Sequence, residues 1–334
     1  MKKTLYLVTG AAGFLGNNVV HQLVKSGQQV KALVLKNDPA AKYIPAEAEI
    51  FFGDITDLNS MNKYFAESED TELIVIHCAS LVTTSPEKNK IVYDVNVNGT
   101  KNVVDLCIQK KVKKLVYVSS TGAILEAPHG EKIVEPLTFF PNQVIGYYGE
   151  TKAIATQYVF DSVKKSDLDA TVIYPSGIAG PNDSAFGPFS SFIIRYCKGE
   201  MPVGVAGTFN SVDVRDLATA TIEAASRGRK GEGYIISNEL VDMRQMFDLI
   251  SEKSGVNKVK IILTPEEMLE ISSVNLAKEQ VETDKEVLKF ELYNLTRNNL
   301  FSHEKASKEL DFASRPFEET IQDTVDWLKE ENRI

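Results

Sequence analysis

The chain alternates short, nearly uninterrupted apolar runs with longer stretches whose apolar residues recur at helical spacing. Leu5 to Thr9 is the first run and reads as a strand. Phe14 to Ser26 then places Leu15, Val19, Val20, Leu23 and Val24 on one helical face, and Gly27 ends it. The same unit recurs, with strands predicted over Val30–Leu35, Ile50–Phe52, Leu73–His77, Leu115–Ser119 and Ala170–Tyr174 and helical segments between most of them. Strands that alternate with helices and are apolar on both faces imply a parallel sheet covered on both sides, so the expected fold class is α/β, doubly wound.

Beyond Pro175 the rhythm breaks into loops rich in Pro, Gly and Phe, followed by mixed helical segments. We therefore divide the chain into a nucleotide-binding domain over 1–174, to which 211–237 returns, and a smaller substrate-binding region over 175–210 and 238–334. Composition changes this picture little: 43% hydrophobic and 25% charged residues over 334 positions describe an ordinary folded protein and argue against disordered or fibrous classes. A formal charge of −9 without a basic block gives no reason to expect a nucleic-acid partner. Cys78, Cys107 and Cys197 are scattered, which indicates neither a disulfide framework nor a metal site. The apolar run after Lys2-Lys3 is broken by Thr9, Gly10 and Gly13, so no export signal or membrane span is read, and a cytoplasmic location is expected.

The turn after the first strand is Gly10-Ala11-Ala12-Gly13-Phe14-Leu15-Gly16. Gly10 permits a tight turn, Gly13 lets the backbone approach a pyrophosphate, and Gly16 lets the helix pack closely on the sheet. The helix N-terminus, reached through Ala12, Phe14 and Leu15, attracts the anion. This is the pattern of a Rossmann dinucleotide site. The end of the second strand, Ala32 to Asn37, carries no carboxylate to accept ribose hydroxyls and has a cation at Lys36. NADP is therefore preferred over NAD, although Lys36 serves equally well as a solvated surface lysine.

A second pattern lies at Tyr148 and Lys152, four residues apart and so on one helical face. An ammonium there would stabilise a phenolate and draw the tyrosine pKa down from about 10, making Tyr148 a proton donor near neutral pH. Ser120, 28 residues earlier, ends a core strand in hydroxyl side chains. Ligands of open α/β sheets bind beyond the carboxyl ends of the strands, which puts Ser120 in the cofactor cleft. His77, in an apolar strand, reads as a core histidine.

Together these motifs resemble the extended short-chain dehydrogenase/reductase superfamily, in its NAD-dependent epimerase/dehydratase group. The dihydroflavonol-4-reductase-like and 3β-hydroxysteroid-dehydrogenase-like branches are the most similar. The resemblance runs nearly end to end through Gly10 to Gly16, Gly53-Asp54-Ile55, His77 to Ser80, Asn96 to Thr100, Ser119-Ser120, Tyr148 to Lys152, Pro175 to Pro181 and Val212 to Ala218. It implies that Asp54 and Ile55 lie at the adenine, that Ala79 and Ser80 line the dinucleotide, that Asn96 bonds near the nicotinamide, and that Pro175 and Ser176 flank that ring. Asp54 and Asn96 also fit as helix caps. Relatives often dimerise, so a homodimer is implied. Three departures stand out: Thr151 where many relatives have serine or alanine, Tyr174 where many sugar-nucleotide relatives have arginine, and Asp311 where glycine is usual.

The expected activity is hydride transfer between a nicotinamide and the carbonyl or alcohol of a small, largely apolar substrate, with Ser120, Tyr148 and Lys152 as the catalytic set. Thr83, Phe186 and Phe189 are the candidate substrate contacts, and the Phe186–Phe192 aromatics fit equally as core. The alternative is a nucleotide-sugar epimerase or dehydratase that retains its cofactor. Its substrate diphosphate needs cations such as Arg195, Lys198, Arg215 or Arg244.

Overall fold

A computed structural model describes residues 3–68, 70–271 and 282–334; of the segments read above, 1–2, 69 and 272–281 lie outside the described residues. Strands β1 (Lys3–Thr9), β2 (Gln29–Val34), β3 (Glu49–Phe52), β4 (Thr71–His77), β5 (Lys114–Val118) and β6 (Ala170–Pro175) join β10 (Glu232–Ile236) in a seven-stranded sheet ordered β10-β6-β5-β4-β1-β2-β3. Every pairing in it is parallel. Each apolar run found in the sequence is one of these strands, with ends displaced by one or two residues. Strand order reverses between β1 and β4, so the crevice outside their carboxyl ends is where a ligand of such a sheet binds.

Helices α1 (Phe14–Lys25), α2 (Leu58–Tyr64), α3 (Lys90–Tyr93), α4 (Thr100–Gln109) and α5 (Tyr147–Lys165) follow the early strands. One face of the sheet is covered by α4 and α5 through Val103, Val104, Ala153 and Val159. The other is covered by α1 and α7 (Val214–Arg227) through Val19, Val20, Leu217 and Ala224. A third core joins α6 (Pro188–Cys197), α8 (Met243–Ser254) and the C-terminal helix, which we number after α9 (Glu282–Thr296) and α10 (Glu304–Leu310) as α11 (Phe317–Glu330). Small sheets of β7 (Gly177–Ala179), β9 (Thr208–Asp213) and β11 (Leu240–Asp242), and of β8 (Gly204–Val205) with β12 (Ile262–Leu263), complete that region.

The division at 237 is not clean. Ala306, Leu310 and Phe312 pack with α7 against the large sheet, so this part of 238–334 covers the nucleotide-binding side. Asp311 ends α10 at φ +54, in the left-handed region that favours glycine. Asp213 ties the two regions together. Burial alone would raise its carboxyl, but hydrogen bonds from Arg215 overcome this and hold it below the usual range, and Thr320 of α11 adds a bond at 2.9 Å. Arg215 also reaches Asp323 of α11 at 2.6 Å. Among the described residues no helix is long and apolar enough to cross a membrane.

Two glycines set the β1–α1 turn. Gly10 has φ +65, and a Cβ there would lie 2.6 Å from the Ala79 amide nitrogen, so the turn after β1 touches the turn after β4. A Cβ on Gly16 would lie 2.1 Å from the Gly10 carbonyl oxygen, and neither backbone can retreat. In an open helix Gly→Ala gains about 1 kcal/mol, whereas overpacking costs about 1–3 kcal/mol or more. With overpacking at the upper end for so short a contact and the helix gain set against it, Gly16→Ala is expected to lower unfolding free energy by about 2 kcal/mol in urea titrations; a stabilised variant would contradict this packing.

Candidate active site

The site forms where the turns after β1, β4, β5 and β6 meet the first turn of α5. Gly146, at φ +91, turns the chain into α5 and places Tyr148 and Lys152 on the side facing the end of β5. Ser80 and Ser120 lie near enough to the Tyr148 phenol to act on it. Burial pushes that phenol above the ordinary tyrosine value, and the two serines draw it part of the way back. Ser120 is itself held by the Gly122 N–H, which donates to its Oγ at 3.0 Å.

Lys152 lies beside this group but is oriented differently from the sequence expectation. Its side chain is 1% exposed. The ammonium donates to the Val118 carbonyl at 2.7 Å and sits 4.7 Å from the centroid of the Tyr117 ring. Burial brings its pKa down to about 7, against a small opposing effect of Cys78. The expectation that the Lys152 ammonium lowers the Tyr148 pKa is therefore revised: burial raises the phenol and the two serines draw it back, because the long lysine stem carries its charge inward to a strand carbonyl.

Asn96 is not a helix cap. It lies in a π-helical segment, Asp94–Gly99, of the kind often found at functional sites. Its Oδ1 accepts from Leu81 N at 2.8 Å and from Ser80 Oγ at 3.0 Å, while its Nδ2 donates to Leu81 O at 3.0 Å and Thr151 Oγ1 at 3.1 Å. Thr151 in turn donates to the Tyr148 carbonyl at 2.7 Å. One amide thus clamps the β4 turn, carrying Ala79 and Ser80, to the helix carrying Tyr148. Thr151, noted in the sequence only as a departure, is part of that clamp.

His77 is fully buried between Thr9 Oγ1 at 2.6 Å and Thr100 Oγ1 at 3.0 Å, and burial brings it down to about 3, so it is neutral. Thr9, His77 and Tyr117 are register partners across β1, β4 and β5. Their alignment was within reach of the sequence, because each stands near the end of its apolar run.

Several features fit a dinucleotide. Gly13 is exposed, and the first turn of α1 has neither a side-chain cap nor an acidic residue, which leaves its amides for an anion. Ala12, Leu15 and Gly16 are buried behind it, with Phe14 half-buried. Ser176, beside buried Pro175 at the end of β6, has a buried hydroxyl without a partner among the described residues. Asp54 Oδ1 takes the Thr56 N–H and hydroxyl at 2.8 Å, Ile55 is buried behind it, and Asp57 rather than Asp54 caps α2. Lys36 is exposed beyond β2, and Asp38 is occupied by the Ala40 N–H at 2.9 Å.

The substrate candidates divide. Thr83 is half-buried on the β4 turn, its hydroxyl accepting from Ser85 N at 3.0 Å. Phe189 belongs to the third core and half-buried Phe186 packs against it. Trp327 stacks on Phe186 at 5.5 Å with the Arg333 guanidinium 4.1 Å from the same ring, and Phe189 stacks on Phe209 at 5.8 Å with Phe317 at its edge. Tyr174 is fully buried, and a Cβ on Gly233 would meet its ring at 2.3 Å.

A buried ammonium carries a stability cost whose sign is fixed. The folded pKa of Lys152, about 7, lies below that of an exposed lysine, about 10.4, so the penalty is full below pH 7 and disappears as pH rises to about 10. Lys152→Met is expected to be more stable than the parent by a few kcal/mol at pH 6, with the gap closing toward pH 10, measured by urea unfolding across pH. A variant less stable at pH 6 would contradict this account.

Residues 7–239 match the model of the 3-beta hydroxysteroid dehydrogenase/isomerase family. The chain is 26% identical over 331 residues to sterol demethylase protein B of Methylococcus capsulatus, covering 98% of this chain and 99% of that protein. It is 27% identical over 256 residues to a putative dihydroflavonol 4-reductase of Synechocystis sp., covering 75% and 73% of the two chains. Among solved structures, gox2253 superposes with a TM-score of 0.84 at 28% identity, covering 99% of both chains.

Proposed function

The chain belongs to the 3-beta hydroxysteroid dehydrogenase/isomerase family, and from that premise we propose that it transfers a hydride between a nicotinamide cofactor, preferentially NADP, and the carbonyl or alcohol of a largely apolar substrate. Sterol-type and dihydroflavonol-type ketones are the first candidates, following the names of the relatives above. The observation that carries the proposal is the placing of Tyr148 and the buried Lys152 one turn apart on α5, beside the end of β5 that leads into Ser120. The absence of a free carboxylate at the end of β2, with exposed Lys36 next to it, supports a 2′-phosphate.

A bound nicotinamide supplies or accepts the hydride. Ser120 orients the substrate oxygen by donating to it, and Tyr148 gives its phenolic proton to that oxygen as negative charge develops there. The raised phenol of the structure suits the role of acid, since the proton is present at neutral pH. Lys152 uses one N–H on Val118 O and keeps its remaining donors for the cofactor's ribose hydroxyls. Ser176 offers its unpartnered hydroxyl to the nicotinamide side.

Of the four cations named for the epimerase alternative, Arg215 is committed to Asp213 and Asp323. Screening 3-keto steroids, flavonoid ketones and simple aldehydes for NADPH and NADH consumption tests the proposal. Tyr148→Phe is expected to lower kcat by about 10²–10⁴ with cofactor affinity unchanged. Near-normal turnover in that variant would remove Tyr148 as the acid.

A further inference from the structure

We propose that Tyr117 is a positioning residue for Lys152, acting through the face of its ring rather than through its hydroxyl. The proposal deepens the reductase reading, in which Lys152 belongs to the site, but its geometry stands apart from turnover.

Tyr117 is fully buried. One side of its ring meets the Lys152 ammonium, 4.7 Å from the centroid, and the ring stacks on His77 at 5.5 Å and 29°. Its hydroxyl makes no well-aligned hydrogen bond among the described residues, although the Thr100, Thr156 and Ser119 hydroxyls lie near it. What the site uses is the negative face of the ring, which attracts a cation most strongly where water is excluded. Lys152 needs such help, because its single protein acceptor is the Val118 carbonyl and its surroundings offer no carboxylate among the described residues.

The other groups facing the ammonium fit the same arrangement. From β4 come His77, neutral and locked between Thr9 and Thr100, and Cys78, whose thiol burial pushes up to about 12; neither adds charge. From β5 comes Tyr117 itself, with Tyr174 of β6 behind it, and from α5 comes Tyr148. All three phenols stay protonated at neutral pH, since burial raises each of them. The ring and the Val118 carbonyl are therefore the two groups in contact with the cation that offset its desolvation without bearing a charge.

The test reads the lysine directly. The Lys152 ammonium is titrated by NMR in protein carrying 15N at the lysine ε positions, without cofactor, with Lys152→Met assigning the signal. Tyr117→Phe, which keeps the ring, is expected to leave the titration midpoint within about 0.3 unit of the parent. Pentafluorophenylalanine at 117, the same shape with the face potential removed, is expected to lower it by about one unit. In turnover the lysine-dependent limb of the kcat pH profile is expected to move with it. Equal midpoints for the phenyl and pentafluorophenyl proteins would overturn the proposal, as would a large shift from loss of the hydroxyl alone. A protein that shows the fluorine-dependent shift but reduces no carbonyl would support this inference and remove the reductase reading.

Discussion

An ammonium ion almost wholly removed from water is the constraint around which this molecule is arranged. Burial penalises the charged form of Lys152, and no carboxylate among the described residues offsets that cost. The ammonium persists on one strand carbonyl and one aromatic face, both supplied by the last residues of β5. The parallel sheet makes this possible: strands ending in register bring Thr9, His77 and Tyr117 into one row beneath the crevice. A neutral His77, its ring bonded on both nitrogens, completes a floor that carries no competing charge.

The same reasoning connects the floor to the rim. Asn96, placed inward by the π-helical segment, spends its side-chain amide on the β4 turn and on Thr151, so Ser80 and Tyr148 are held by one residue. Loops that carry chemistry in open α/β sheets need such fixing, because the sheet positions their ends but not their side chains. The C-terminal helix is fastened by a buried carboxylate with two arginines, Asp213 with Arg215 and Arg315, rather than by apolar contact alone. Breaking one partner of such a set leaves an uncompensated charge, which ties the position of that region to the fold of the other.

Much of the fold could be read from the chain because its signals were local. Apolar runs and helical periodicity mark β1, α1 and β4 to within a residue or two, and the glycine loop is explained by the Gly10–Gly16 contact. Site details that depend on side-chain direction were less accessible. Spacing of four places Tyr148 and Lys152 on one face, yet does not say that a four-carbon stem turns toward Val118. An aromatic run such as Phe186 to Phe192 has the same pattern whether it lines a pocket or fills a core, and the stacking on Trp327 and Phe209 is a contact that spacing alone does not show. Asn96 and Asp54 suit helix caps by type, whereas long-range partners and a neighbouring Asp57 settle what they do.

The central claim is that these groups serve hydride transfer at a carbonyl carbon. The most direct measurement supplies NADPH deuterated at either face of nicotinamide C4, with a ketone drawn from the sterol or flavonoid classes, and locates the label in the alcohol by mass spectrometry. The account predicts deuterium on the carbinol carbon from one face of the cofactor only. Alcohol formed without label from either face, or substrate isomerised with no label transferred, would contradict it.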